Sequence, residues 1–297
     1  MAYGIILLLV LLLIGQKIHS RRQLRKLNQD LDNLLRLGTP LPIDRYQEGE
    51  LSILASQMEK ITIRLTEAAD RVQKEKEYLA DSLADISHQL RTPLTAMNLA
   101  VTLLRGPELE AHRRLELTAE LRRQLSRIDW LVETLLKISK LDAGTVELAS
   151  EPISVRELVE KAAEPVSIPM DLRNQSLLVS CQGEQLHGDF NWTAEALGNL
   201  LKNCMEHTPE GGTISVTAEE TPLYTQIQVE DTGGGFSPED LPHIFDRFYQ
   251  GKNASPGTFG IGLSLARCII ANQNGTIQAS NGDTGARFTI KFYKQVI

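Results

Sequence analysis

The sequence predicts a multi-part chain: a short apolar N-terminal helix, a helical linker, a helical hairpin that pairs as a four-helix bundle, and a C-terminal α+β two-layer sandwich. Three observations predict it. Residues Ile5 to Gly15 are almost wholly apolar and run into Lys17, Arg21, Arg22, Arg25 and Lys26. Apolar positions then recur at steps of three and four from Leu51 to Ile138, with one break at Arg105-Gly106-Pro107. After Pro152, short β-rich runs alternate with helical ones.

With 297 residues there is room for about two domains. Apolar residues make up 42% of the chain, enough for a core, and a net charge of −7 argues against a nucleic-acid-binding surface. Cys181, Cys204 and Cys268 have neither metal-ligand nor redox spacing and read as buried apolar residues in a reducing compartment. The N-terminal run is short, since Met1–Gly15 in a helix spans only about 22 Å against the ~20 apolar residues a bilayer core needs. Snorkelling of Lys17 and Arg21 and local thinning of the bilayer would accommodate it. A cleaved leader or the remnant of a longer N-terminus are the alternatives. No small-residue cleavage site is evident, and the basic cluster follows the apolar run. Residues 1–18 are therefore expected to be a membrane anchor. The basic cluster would hold the rest of the chain in the cytoplasm, leaving nothing outside to form an extracellular domain.

The linker, residues 19–78, begins as a charged helix over 20–37. A Pro- and Gly-rich loop then interrupts it, from Thr39 to Gly49. Leu51, Leu54, Met58, Ile61, Leu65, Ala68 and Val72 form a coiled-coil seam that continues through Leu79, Leu83, Ile86 and Leu90. Past Pro93 the pattern resumes at Leu94, Met97, Val101 and Leu104. A second helix carries Leu117, Leu121, Leu125, Ile128, Val132, Leu135 and Ile138. Two such helices make a hairpin (residues 79–145) that buries its seam best by dimerising. Asp142-Ala-Gly reads as the hinge that ends it.

The last part, residues 150–297, is expected to hold strands at Ser176–Ser180, Thr213–Ala218, Thr225–Glu230, Thr276–Ser280 and Ala286–Phe292. Helices are expected at Val155–Ala163, Trp192–His207 and Leu263–Ala271.

Four constellations carry chemistry. His88 lies two positions from both Ile86 and Leu90, so it faces away from the seam, beside Arg91, Thr92 and the helix-kinking Pro93. Alone it would be an ordinary surface histidine; exposed in this setting, its imidazole is a competent nucleophile towards phosphorus. On Trp192–His207, Glu195, Asn199, Asn203 and His207 recur every four residues as one polar stripe. That stripe is either solvated or an oxygen-ligand set for a cation such as Mg²⁺, which suits two asparagines four apart better. Asp231-Thr-Gly-Gly-Gly-Phe follows a strand and is either a hairpin turn or a ligand loop. In the second case the backbone approaches closely and the carboxylate accepts from an exocyclic amine. Gly257-Thr-Phe-Gly-Ile-Gly-Leu opens a helix whose amides suit phosphate. Between the two glycine loops, Phe248–Phe259, including Lys252, reads as a mobile lid.

In order and spacing these elements resemble the sensor histidine kinases of two-component systems over residues 81–297. Ser87-His-Gln-Leu-Arg-Thr-Pro is similar to the H box and Asn199-Leu-Leu-Lys-Asn203 to the N box. Asp231-Thr-Gly-Gly-Gly, Phe245-Asp-Arg-Phe and Gly260-Ile-Gly-Leu are similar to the G1, F and G2 boxes. The resemblance implies a HisKA-type homodimeric bundle followed by an ATP-binding sandwich of the Bergerat type. It further implies that Asp231 contacts adenine, that Asn203 with Asn199 holds Mg²⁺, and that Gly233, Gly235, Lys252, Gly260 and Gly262 surround the nucleotide. His207 matches a position packed near it. Residues 20–75 loosely resemble a HAMP-type linker, with Glu48-Gly-Glu50 as its acidic-Gly element.

The resemblance departs at Gln89, where the family usually has Glu or Asp after the phospho-accepting histidine; glutamine cannot take a proton but can still orient the imidazole by hydrogen bonding. Thr92 matches a position tied to dephosphorylating the partner. Thr258-Phe259 stands where the family often has a further glycine. The implied activity is autophosphorylation of His88 from Mg-ATP, then transfer to an aspartate of a response-regulator receiver. A nucleotide-binding scaffold, or a phosphatase-biased protein, is the alternative.

Overall fold

The computed structural model describes residues 3–4, 6, 10–18, 21–22, 25, 50–106, 109–251 and 258–294. The chain divides into two compact units, Met1–Asp81 and Ser82–Ile297. In the first unit, residues 10–18 are helical, and Val10 to Ile14 expose their apolar side chains. Among the described residues no helix is long and apolar enough to cross a membrane. The expected helix over 20–37, the loop from Thr39 to Gly49 and the acidic-Gly element lie mostly outside them, as do the side chains of Leu51 and Leu54.

Helix α1 runs unbroken from Glu50 to Leu104, and α2 from Ala111 to Asp142. Ile61, Leu65, Val72, Leu79 and Leu83 are exposed along α1, an apolar edge with no cover from the described residues. Pro93 sits buried inside α1 without ending it. Lacking an N–H, it leaves the carbonyl of Gln89, beside His88, without its helical donor.

The seam expected on α2 divides between two faces. Leu117 and Ile138 are buried, together with Leu131, Leu141, Gln124 and Thr134, whereas Leu125 and Val132 are exposed. One chain's packing covers only part of so wide an apolar stripe. The hinge at Asp142 takes a specific form: Thr145 N donates to Lys140 O and Gly144 N to Leu141 O, both at 3.1 Å, with Gly144 at φ 63°. This left-handed cap satisfies two of the last carbonyls of α2.

The C-terminal part has the expected strands, each within two residues of its predicted ends. They are β2 (Ser176–Ser180), β4 (Thr213–Glu220), β5 (Tyr224–Asp231), β6 (Gly275–Asn281) and β7 (Ala286–Tyr293). They form one sheet in the order β2-β4-β5-β7-β6, parallel only between β2 and β4. Along β5 and β7 burial alternates strictly, so Ile227, Val229, Phe288, Ile290 and Phe292 face one side. Helices α3 (Val155–Leu172), α4 (Phe190–His207) and α5 (Gly262–Asn272) cover that side, making the second layer. Two short strands were not expected, β1 (Glu151–Ser154) and β3 (Gln185–Gly188), which pair antiparallel. Four residues carry too little periodicity to announce a strand.

Helix α3 extends well past its expected end at Ala163, through Pro165 and Pro169. An interior proline costs roughly 3 kcal/mol. Val166 and Met170 prolong the buried row of Leu158 and Ala162, and each buried side chain of this size returns about 1.5–3 kcal/mol. Cys181 and Cys204 are buried as expected, but Cys268 is only half-buried. Its Sγ lies 3.5 Å from Asp142 Oδ1, and burial first, then that carboxylate, pushes its thiol up to about 11.

Candidate active site

Helix α4 starts at Asp189, whose carboxylate caps it by accepting from Trp192 N at 3.1 Å. Thr193, Leu197, Leu200, Leu201 and Cys204 bury one side in the core. Asn199, Lys202, Asn203 and Glu206, at helical steps of three and four, line a cavity of about 270 Å³, and His207 reaches its rim. The expected stripe is therefore corrected at one position. Glu195 turns instead to α2, where it accepts from Lys137 Nζ at 2.5 Å, and Glu206 takes the place on the wall. Asn199 Nδ2 donates to Glu195 O at 2.9 Å, and its Oδ1 lies against Gly262, where an added Cβ would come within 2.9 Å.

Asp231, at the end of β5, is 1% exposed and lines the same cavity. Its Oδ1 accepts from Gly233 N at 2.8 Å and Ala286 N at 3.1 Å. Its Oδ2 is buried and has no hydrogen-bond partner among the described residues. A buried carboxylate oxygen left unpaired costs about 1–3 kcal/mol or more, so the position calls for a donor from a ligand. Beneath it Cys204 is kept protonated, first by burial and then by the charge of Asp231.

Gly233 does not form part of the cavity wall. A Cβ there would sit 2.6 Å from His207 O, so its glycine character lets its amide reach Asp231. Gly234 and Gly235 do face the cavity, and Gly235 adopts φ 68°. Two residues unforeseen from sequence hold this loop. Asn281 bridges Phe236, accepting from its N at 2.7 Å and donating to its O at 2.9 Å. Gly285 packs where any Cβ would meet Asp231 O at 2.3 Å. The only sequence trace of either is the Gly- and Asn-rich connection between β6 and β7.

The opposite wall comes from Asp240, Ile244, Tyr249, Thr258 and Gly260. Tyr249 donates to Asp240 Oδ1 at 2.7 Å, and this hydrogen bond holds its phenol above the ordinary range. Phe248, with φ 63°, donates its N–H to Gly260 O at 3.0 Å. Gly260, with φ 67°, leaves no space for a Cβ, which would meet Tyr249 O at 2.3 Å. Gly260→Ala is thus expected to displace this wall, at about 1–3 kcal/mol of stability, measurable as a lowered midpoint of denaturant unfolding. Lys252 and Gly257 lie outside the described residues, as does half of the expected lid, residues 252–257.

The structure therefore brings together Asn199, Asn203, His207, Asp231, Gly235, Gly260 and Gly262, all of them anticipated, around one cavity. His88, Gln89 and Thr92 are not part of it. They stand on α1, with His88 and Thr92 exposed and Gln89 half-buried. No described residue hydrogen-bonds the His88 ring. The cavity-bearing part meets the hairpin through ion pairs that include Arg247 with Asp142 and Lys137 with Glu195.

Residues 78–144 match the family described as the His Kinase A (phospho-acceptor) domain. Residues 188–296 match the histidine kinase-, DNA gyrase B- and HSP90-like ATPases. The chain is 25% identical over 301 residues to the sensor histidine kinase YclK of Bacillus subtilis, covering 98% of this chain and 63% of that protein. It is 27% identical over 276 residues to the kinase/phosphatase MprB of Mycobacterium avium, covering 90% and 50%. It therefore spans about half to two thirds of the length of these relatives. In fold it is similar to the histidine kinase ThkA, solved in complex with the response regulator TrrA. That match has a TM-score of 0.57 and 20% identity, over 77% of this chain and 66% of that one.

Proposed function

We propose, from the premise that this chain belongs to the sensor histidine kinases of bacterial two-component systems, that it phosphorylates its own His88 from Mg-ATP and hands the group to an aspartate of a response-regulator receiver. The unpaired, buried Oδ2 of Asp231 carries the nucleotide reading. It is an acceptor fixed at the floor of a cavity, suited to the exocyclic amine of adenine.

The other residues fit the same ligand. Asn203 and Asn199 offer amide oxygens on one helical face, and Glu206 adds a carboxylate one turn along. Mg²⁺ takes such hard oxygens and fills its remaining positions with phosphate and water. Gly234, with open space where a Cβ would stand, and the first turn of α5 at Gly262 present backbone to a phosphate chain. Bound Mg-ATP supplies the γ-phosphoryl group. A His88 ring nitrogen forms the new bond to phosphorus as the bond to the ADP oxygen breaks, and the imidazole proton leaves to solvent or base. Exposure on α1 lets His88 be met first by the nucleotide-bearing part and then by the receiver. Gln89 cannot take the proton.

The organisation we propose has an anchor at 1–18, a linker at 19–78, the phosphotransfer hairpin at 79–145 and the ATP-binding domain at 150–297. The exposed Leu94, Val101, Leu125 and Val132 suit a second copy, making a homodimeric bundle. A receiver partner is favoured by the response-regulator complex of ThkA. The exposed apolar residues Val10 to Ile14, with the basic residues after them, favour anchoring in the cell membrane with the kinase domains cytoplasmic. One observation favours a second reading, a phosphatase-biased protein: Gln89 replaces a proton acceptor while Thr92 stays exposed, and MprB is named both kinase and phosphatase.

Incubation with γ-labelled ATP and Mg²⁺ tests the proposal. Label on the chain that survives base, is lost in acid and vanishes with a chelator is expected. Acid-stable label would contradict it, and nucleotide binding without any label would shift the reading to the second.

A further inference from the structure

Lys202 occupies two sites at once. It lies on the cavity wall between Asn199 and Asn203, with its Nζ 4.0 Å from Glu206 Oε1. The same Nζ rests 5.2 Å from the ring centre of Trp130, which belongs to α2 of the hairpin. Trp130 is in turn stacked on Phe259, with ring centres 5.9 Å apart and planes within 15°. The guanidinium carbon of Arg127, also on α2, sits 5.3 Å from the Phe259 ring centre. Phe259 is 5% exposed and stands between Thr258 and Gly260, both on the cavity wall. The four side chains thus form one cation–aromatic array joining the hairpin to two walls of the cavity.

We propose that Lys202 is a nucleotide-binding residue for which the hairpin competes, so that occupancy of the cavity loosens the contact between Trp130 and the Thr258–Gly260 segment. This rests on the nucleotide reading above and adds to it a residue and a coupling. Lys202 has a flexible four-carbon stem and a side chain 51% exposed, so its ammonium can leave the indole face without disturbing the core. An ammonium on a partly exposed ring gains little, whereas a charge-assisted hydrogen bond to a phosphate oxygen is about twice as strong as a neutral one. A polyanion in the cavity therefore wins the lysine. Trp130 then loses one of the ring contacts it makes with the nucleotide-bearing part. The ion pairs Lys137–Glu195 and Arg247–Asp142 across the same boundary are partly exposed and add little to hold it. Reciprocity follows: whatever frees Lys202 from Trp130 must tighten nucleotide binding by the same factor.

The test is the affinity of the full chain for a fluorescent ATP analogue in Trp130→Leu, Lys202→Met and the double variant. Trp130→Leu is expected to tighten binding about two- to fivefold, the equilibrium equivalent of one exposed cation–π contact. Lys202→Met is expected to weaken it about tenfold. In the Lys202→Met background, Trp130→Leu should no longer change the affinity. Unchanged affinity in Trp130→Leu, or equal tightening with and without the lysine, overturns the proposal. Intrinsic tryptophan emission gives a second reading on the Lys202→Met chain: a nucleotide-dependent change as large as in the unaltered chain also overturns it. An unaltered chain that binds no analogue would sink the nucleotide reading itself; binding without coupling would sink only this one.

Discussion

Replacing Asp231 with asparagine is expected to weaken adenine-nucleotide binding about 10- to 100-fold while leaving the fold intact. The asymmetry of the carboxylate makes this a sharp test. Oδ1 is committed to Gly233 N and Ala286 N, and only Oδ2 remains for a ligand. An asparagine must choose. With its oxygen towards the two amides, it presents an NH₂ to the adenine amine, donor against donor. With its NH₂ towards the amides, it breaks both backbone contacts instead. The first arrangement preserves the loop and loses the ligand, at the cost of one buried unsatisfied pair. Titration calorimetry with ADP measures the loss directly, and circular dichroism verifies the fold. Affinity within twofold of the unaltered chain would mean that Oδ2 is not the adenine contact.

His88→Gln is expected to remove base-stable, acid-labile label altogether while changing nucleotide affinity less than twofold. The two effects separate because His88 lies on α1, exposed and away from the cavity wall, with no hydrogen bond from any described residue. Surface substitutions of this kind shift stability by no more than about 0.5 kcal/mol. A loss of label therefore reports the missing nucleophile rather than a damaged fold. Intact nucleotide binding, measured by the same calorimetry, completes the distinction. Label undiminished in His88→Gln would place the acceptor elsewhere.

The two tests differ in how far their premises were legible from sequence. The exposure of His88 follows from arithmetic on Ile86 and Leu90, since side chains two positions apart on a helix point to opposite sides. The site glycines were legible for a similar reason: a backbone that must bend sharply or approach closely leaves glycine as its mark, as at Gly235 and Gly260. The partner of Glu195 was not legible. It lies on the stripe with Asn199 and Asn203, yet pairs with Lys137, 58 positions away, and Glu206 takes the cavity instead. Asn281 and Gly285 were hidden because their partners, Phe236 and Asp231, are more than forty positions upstream.

By itself the sequence determined the two long helices, the five strands of the main sheet, and the glycine loops and paired asparagines from which the site is built. Each of these rests on local periodicity or local backbone freedom, which neighbouring residues encode. Only the tertiary structure decided that α3 continues through Pro165 and Pro169, that β2 runs parallel to β4, that Asp231 keeps one oxygen unpaired, and that Lys202 faces both the cavity and Trp130. Those outcomes depend on which distant surfaces meet. Burial free energy summed over many side chains selects that meeting, and no spacing along the chain records it.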